Sequence, residues 1–186
     1  MNNQSINKMT NSKNNDNRKD STDLPSYLSR WPGLYVRDGN QIVEASEDDT
    51  SVARSYPMSR NKGQIMDGKR LTVLTKKTTY QINEEVRIIH VVEVTEPGHM
   101  VYVMGPKSIY GEHMDGRLVT ESLPTGENSL VPSTYDGAVL PSPAVDYNYE
   151  ITHYSFSKPG THKFQWKLNN LESNVLTLKI TEEPSF

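Results

Sequence analysis

The chain has 186 residues and a mass of 21.1 kDa, the size of one ordinary domain and too short for the two-domain layout of most cofactor enzymes. Lys+Arg 20 against Asp+Glu 23 leaves a net charge of -3, so no overall field draws nucleic acid or an anionic membrane to it. Without cysteine there is no disulfide framework, thiolate nucleophile, iron–sulfur ligation or sulfur-ligated zinc.

In chain order, residues 1–23 come first, with seven Asn and only Met1, Ile6 and Met9 as apolar side chains. Such a segment buries too little surface to offset the entropy of ordering, and a disordered tail is expected. Met1 to Lys8 lacks the apolar core of a secretory signal, and no later stretch approaches the roughly 20 apolar residues of a bilayer span. The expectation is a cytoplasmic protein, or one exported without a cleaved signal peptide. Leu24, Tyr27, Leu28 and Trp31 then recur at roughly helical spacing before Pro32-Gly33, which predicts a short helical turn docked on the domain.

Turn chemistry dominates from there. Asp-Gly occurs at Asp38-Gly39, Asp67-Gly68, Asp115-Gly116 and Asp136-Gly137, and this dipeptide supplies the positive φ angles of tight hairpins. Between residues 69 and 96 there is no Gly or Pro, and 13 of the 28 residues are Val, Ile or Thr, which favour strands. Strands are predicted over Arg70 to Thr75 and Val86 to Thr95. In the second, Ile88 and Val92 on one face and Ile89 and Val91 on the other mark a strand central to the domain or one that switches partners. His99 to Met104 and Asn148 to Phe156 read as further strands. In the last third, His162, Phe164, Trp166 and Leu168 alternate with Lys163, Gln165 and Lys167, so one face is buried and the other wet. After Asn169-Asn170, Leu176, Leu178 and Ile180 repeat that alternation in an antiparallel partner.

Lys158-Pro159-Gly160-Thr161-His162-Lys163-Phe164, followed by Trp166, resembles the turn into the F strand of immunoglobulin-like domains, Asp-x-Gly-x-Tyr-x-Cys, with His162 at the tyrosine position and Phe164 at the cysteine position. Thr79-Tyr80 to Val86 is similar to the strand opening of bacterial immunoglobulin-like modules, where a Tyr precedes a Gly-Glu or Asn-Glu turn. The resemblance implies an all-β fold, an antiparallel immunoglobulin-like β-sandwich of seven to nine strands over 24–186, and a binding module rather than a particular activity. With His at the corner, the usual tyrosine bond to backbone is missing or replaced by an imidazole bond.

The candidate chemistry is sparse. His90, His99, His113, His153 and His162 show no i, i+2 pair and no His-Glu-x-x-His, so neither a metal site nor a cofactor is expected. His90 and His162 fall in apolar alternation and read as core or corner residues bonded to backbone. A Ser nucleophile elbow and a phosphate loop are both missing from the sequence. Lys69, Arg70, Lys76 and Lys77 bracket one strand as a solvated edge that discourages pairing. Glu112, His113 and Asp115, beside Tyr110, form the densest polar cluster, and residues 121–147, with four prolines, make a long irregular connection.

These readings converge on a non-catalytic binding or assembly module acting through loops or a sheet edge, its partner a protein. Residues 105–147 would carry the contacts, with Tyr110, Glu112, His113, Asp115, Tyr135 and Tyr147 as binding residues. Two alternatives stand beside it: a carbohydrate-binding module presenting Tyr110, Tyr135 and Tyr147, and a small hydrolase or metal-dependent enzyme built on Glu112, His113 and Asp115.

Overall fold

The structure, a computed structural model, describes residues 24–132 and 134–182, so the expected tail at 1–23 lies outside it. The described chain is all-β, with short helical pieces confined to its N-terminal part. Ser26–Ser29 forms a single 3-10 turn where helical spacing predicted one, and β1 (Tyr35–Asp38) and β2 (Gln41–Glu44) form a hairpin around Gly39. The helix α1 (Glu47–Arg54) had no counterpart in the hydrophobic pattern. Its signal is polar: Ser46 caps the first turn by accepting from the Asp49 amide at 3.2 Å, and three acidic residues follow it against the helix dipole.

Two larger sheets follow. β3 (Lys69–Leu74) lies along one edge of β5 (Val86–Val94). The other edge of β5 takes two short strands end to end, β10 (Ala144–Asp146) at its C-terminal part and β11 (Thr152–Tyr154) at its N-terminal part. The second sheet runs β4 (Thr79–Gln81), β14 (Leu176–Thr181), β12 (Gly160–Leu168), β7 (Glu112–Met114) and β8 (Arg117–Leu118), with β13 (Leu171–Glu172) also on β12. Its pairs are antiparallel except that of β4 with β14, which is parallel. From β13 to β14 the register against β12 shifts by one residue, so Ser173 to Val175 acts as a bulge that keeps Leu176, Leu178 and Ile180 inward. A separate ribbon pairs β6 (Met100–Tyr102) with β9 (Val139–Pro141).

One core lies between the two larger sheets, joining Leu71, Val73, Ile88 and Val92 to Phe164, Trp166, Leu178 and Ile180. A second cluster covers the opposite face of β5, where Ile89 and Val91 meet Leu28, Leu34, Ala53, Tyr56 and Tyr147. This accounts for the two apolar faces of the strand: β5 is central within its sheet and covered on both sides, by the second sheet and by the N-terminal segment. Three of the four Asp-Gly pairs make the tight turns expected of them, with positive φ at Gly39, at Asp67-Gly68 and at Asp115-Gly116. Asp136-Gly137 does not, because Gly137 lies against the Met104 side chain in an ordinary backbone conformation. The connection 121–147 is irregular only to Ala138, and from there β9 and β10 return it to the sheets.

Candidate functional site

A buried ion pair anchors the end of the molecule where β5, β10 and the β6–β9 ribbon meet. Lys107 is tied to the neighbouring chain by backbone bonds, its amide donating to Asn148 O at 2.9 Å and its carbonyl accepting from the Glu150 amide at 2.8 Å. Its ammonium sits 3.0 Å from Asp146 Oδ2, donates to Met104 O at 2.9 Å and lies 4.7 Å above the Tyr149 ring. The side chains keep only 8% and 3% of their surface exposed, so desolvation dominates both titrations: burial pushes Lys107 down and Asp146 up, each opposed by its partner's charge.

Concave surfaces open on either side of the pair. The first is a groove of about 350 Å³ lined by Val92, Val94, Met100, Val101, Tyr102 and Val131, with Asp146 and Tyr149 also reaching it. Met100 is 58% and Val131 42% exposed there, so the groove presents apolar surface. The second, about 250 Å³, is lined by Lys107, Ser108, Tyr110, Leu123, Asn128 and Pro132 among others. The loop that carries Asn128 to Val131 contributes to both, with Leu130 packed against the main core and Ser129 O facing the Tyr149 hydroxyl at 3.5 Å.

Of the six residues expected to bind a ligand, only Tyr110 lines either of these openings. Its backbone is held from two sides: Tyr110 O accepts from Trp166 Nε1 at 2.8 Å, and the next residue, Gly111, donates to Glu121 O at 3.0 Å. Gly111 has φ +74°, and a Cβ there would stand 2.0 Å from Lys167 O, so β7 can approach β12 this closely only at a glycine. The alternation of β7 separates Glu112, His113 and Asp115. Glu112 points into the core, His113 Nδ1 lies 3.0 Å from Gly111 O, and Asp115 at the turn meets His162 Nδ1 at 2.7 Å. Tyr135 stacks edge-on against Tyr102 at 4.8 Å and donates to Ala138 O at 2.8 Å. Tyr147 is buried in the second cluster between Trp31 and Tyr56, out of reach of a ligand.

The structure assembles further polar clusters from residues distant in the chain. Glu93, wholly buried, receives Arg70 Nε at 2.5 Å, the Tyr27 hydroxyl at 2.5 Å and the Tyr56 hydroxyl. Burial pushes its carboxyl up, yet the guanidinium and the two hydroxyls prevail and hold it below the ordinary glutamate value. On the opposite face of β5, His90 Nε2 lies 3.5 Å from Glu112 Oε1, within ionic range but not aligned as a hydrogen bond, and both ring nitrogens lack a partner among the described residues. Thr152 and Tyr154 donate to the Glu112 carboxylate at 3.2 and 3.0 Å. There too burial raises the carboxyl, while the imidazole and the hydroxyls outweigh it and leave Glu112 below its ordinary value. His90 is thus the core residue its position predicted, but its neighbours are a carboxylate and the Trp166 ring, 5.1 Å away, rather than backbone. His162 likewise finds a carboxylate, Asp115, and stacks on Phe156 at 4.1 Å.

Of the basic residues expected to form a solvated edge, Lys76 and Lys77 are exposed as predicted, but they and Arg70 are paired with carboxylates. Arg70 serves Glu93, Lys76 pairs with Asp48 and Lys77 with Glu84, beside a cleft of about 270 Å³ in which Arg87 holds Asp49 through two bonds of 2.6 and 2.9 Å. Among the described residues no group of three or more His, Asp or Glu side chains is placed to hold a metal ion. Nor is any helix long and apolar enough to cross a membrane. Sequence reasoning passed over Lys107, Asp146 and Glu93. The available signal was a single carboxylate inside each apolar run, at Val92-Glu93-Val94 and Val145-Asp146-Tyr147, which a strand covered on both faces must pair. In comparisons with known proteins, the chain matches no family model, no curated protein and no solved structure.

Proposed function

We propose that this protein is a non-catalytic binding module of immunoglobulin-like sandwich architecture that holds an apolar segment of a protein partner in the groove beside Met100 and Val131. The strand order supports the architectural half. β5, flanked by β3 and β11, has the place of the second strand in one sheet, and β14-β12-β7 has the G-F-C order of the other. Where an immunoglobulin domain carries its disulfide between the B and F strands, β5 and β12 meet through His90 edge-on to Trp166. Interstrand amide contacts in solution that do not place β5 between β3 and β11, or β12 between β14 and β7, would overturn this half of the reading.

The observation that carries the functional half is the groove itself. It is concave, it exposes Met100 and Val131 next to buried valines, and its polar lining is Lys69, His99, Asp146 and the tyrosines Tyr102 and Tyr149. A surface of that kind gains from a partner that brings apolar side chains, because the exposed Met100 and Val131 are then removed from water. Methionine adapts its shape to such partners. The ribbon and loops that build the groove project from a rigid double sheet, where a recognition surface changes without disturbing the core.

Selection of apolar peptides from a random library on the immobilised chain, followed by amide shift mapping, tests the reading. Shifts at Val92, Met100, Val101 and Tyr102, with affinity reduced at least tenfold by Met100→Asp, are expected. Failure to select any binder, or shifts confined to other surfaces, would reject the groove as the recognition site.

A further inference from the structure

The second cleft differs from the groove in what its walls still offer. Among the described residues, the hydroxyls of Ser108 and Tyr110, the Glu127 carboxylate and the Asn128 side-chain nitrogen make no hydrogen bond, although all four residues line it. The charged cleft at Arg87 provides the contrast, since its lysines and arginine are all engaged with carboxylates of the same wall. At the second cleft the side wall is Lys107, whose ammonium spends two of its three protons on Met104 O and Asp146 and is nine-tenths buried. The half-buried Tyr110 ring, Leu123 and Pro132 supply apolar surface.

We propose that this cleft binds one neutral pyranose ring. A pyranose has an apolar face of C–H groups and a rim of hydroxyls that both donate and accept, which matches an aromatic and prolyl wall bordered by hydroxyls, an amide and a carboxylate. A volume of about 250 Å³ lies below the usual range for drug-sized ligands, of order 300–1,000 Å³, and suits a single ring. Charge selects the neutral sugar: Asp146 already balances Lys107, and Glu127 adds a negative charge at the mouth, so an anionic ring meets repulsion. The floor is preorganised. Bridges of Lys107 with Tyr149 and of Tyr110 with Glu121 hold residues 107 to 110 on both sides, and Trp166 Nε1 fixes the Tyr110 carbonyl. The inference is independent of the apolar groove, from which it differs in ligand and in lining residues.

The full chain, titrated separately with glucose, galactose, N-acetylglucosamine and glucuronate and followed by amide shifts, decides the matter. At least one neutral sugar is expected to give saturable shifts at Ser108, Tyr110 and Asn128 and to bind more tightly than glucuronate. Tyr110→Ala and, separately, Asn128→Ala on the exposed loop should each weaken that sugar at least fivefold with spectral dispersion retained, whereas Met100→Asp leaves it unchanged. Asn128→Ala keeps the test informative should Tyr110→Ala not fold. Saturation by none of the neutral sugars, preference for glucuronate, shifts mapping elsewhere, or binding indifferent to Asn128→Ala would each overturn the proposal.

Discussion

The two faces of β5 bury carboxylates in opposite ways. Glu93, facing the N-terminal segment, is surrounded by a guanidinium and two phenols, all donating to it. Glu112, reaching the other face from β7, receives two hydroxyls and lies beside an imidazole whose nitrogens are without aligned partners. A saturated carboxylate fastens one element to a sheet. An incompletely paired one, set where two sheets meet, ties them together while leaving the core sensitive to protonation.

Trp166 sits at the inter-sheet node with no exposed surface, its ring against His90 and Tyr149 and its indole N–H on Tyr110 O. Trp166→Ala should therefore give the largest effect, about 3–5 kcal/mol, in urea unfolding. A loss below about 1 kcal/mol would mean that the two sheets do not share this contact.

On the other face, Arg70→Ala leaves Glu93 buried with phenols alone. The expected cost is about 2–3 kcal/mol, less than for a fully enclosed pair because Arg70 keeps a fifth of its side-chain surface in water. A double-mutant cycle with Tyr56→Phe should show coupling between the two donors, and additivity would break the picture of one shared node.

Acid sharpens the contrast. Both glutamates titrate below the ordinary value of 4.5 in the folded state, so each contributes stability that is present above that pH and lost as pH falls through the folded value. In His90→Phe, Glu112 loses the imidazole that opposes the effect of its burial, and its carboxyl rises. The onset of acid unfolding should then move to higher pH in thermal melts, while Arg70→Lys leaves it nearly in place. An unchanged onset in His90→Phe would show that the imidazole does not act on Glu112.

The smallest effect belongs to Tyr27→Phe. Its hydroxyl, pushed up to about 12 by burial and by Glu93, contributes one of three bonds to that carboxylate. The expected cost is about 1 kcal/mol, visible as faster amide exchange in residues 26–30 and not in β12. Equal acceleration on both would mean that the N-terminal segment and the double sheet open as one unit.

Much of this arrangement was legible in order of locality. The alternation from His162 to Leu168 and from Leu176 to Ile180 placed the inward residues correctly, including Trp166 and Leu178. The helix at Glu47–Arg54 was not legible from apolar periodicity because most of its face is polar, and only its cap and acidic first turn announce it. Of the candidate ligand residues, Tyr110 lines a cleft while Tyr147 is interior, although both are tyrosines flanking the same irregular connection.

What the residues decided alone is whatever a few neighbours determine: positive-φ turns at Asp67-Gly68 and Asp115-Gly116, β-branched strands between them, and the in-and-out alternation of β12. Only the tertiary structure decided which polar groups meet. His90 and Glu112, Lys107 and Asp146, Arg70 and Glu93, and His162 and Asp115 are brought together by strand register and by the covering of both faces of β5. The physical reason is range. A turn or a strand preference acts over two to six residues, whereas the pairing of a buried charge is imposed by desolvation, and a partner for it is found wherever the packed sheets bring one within reach.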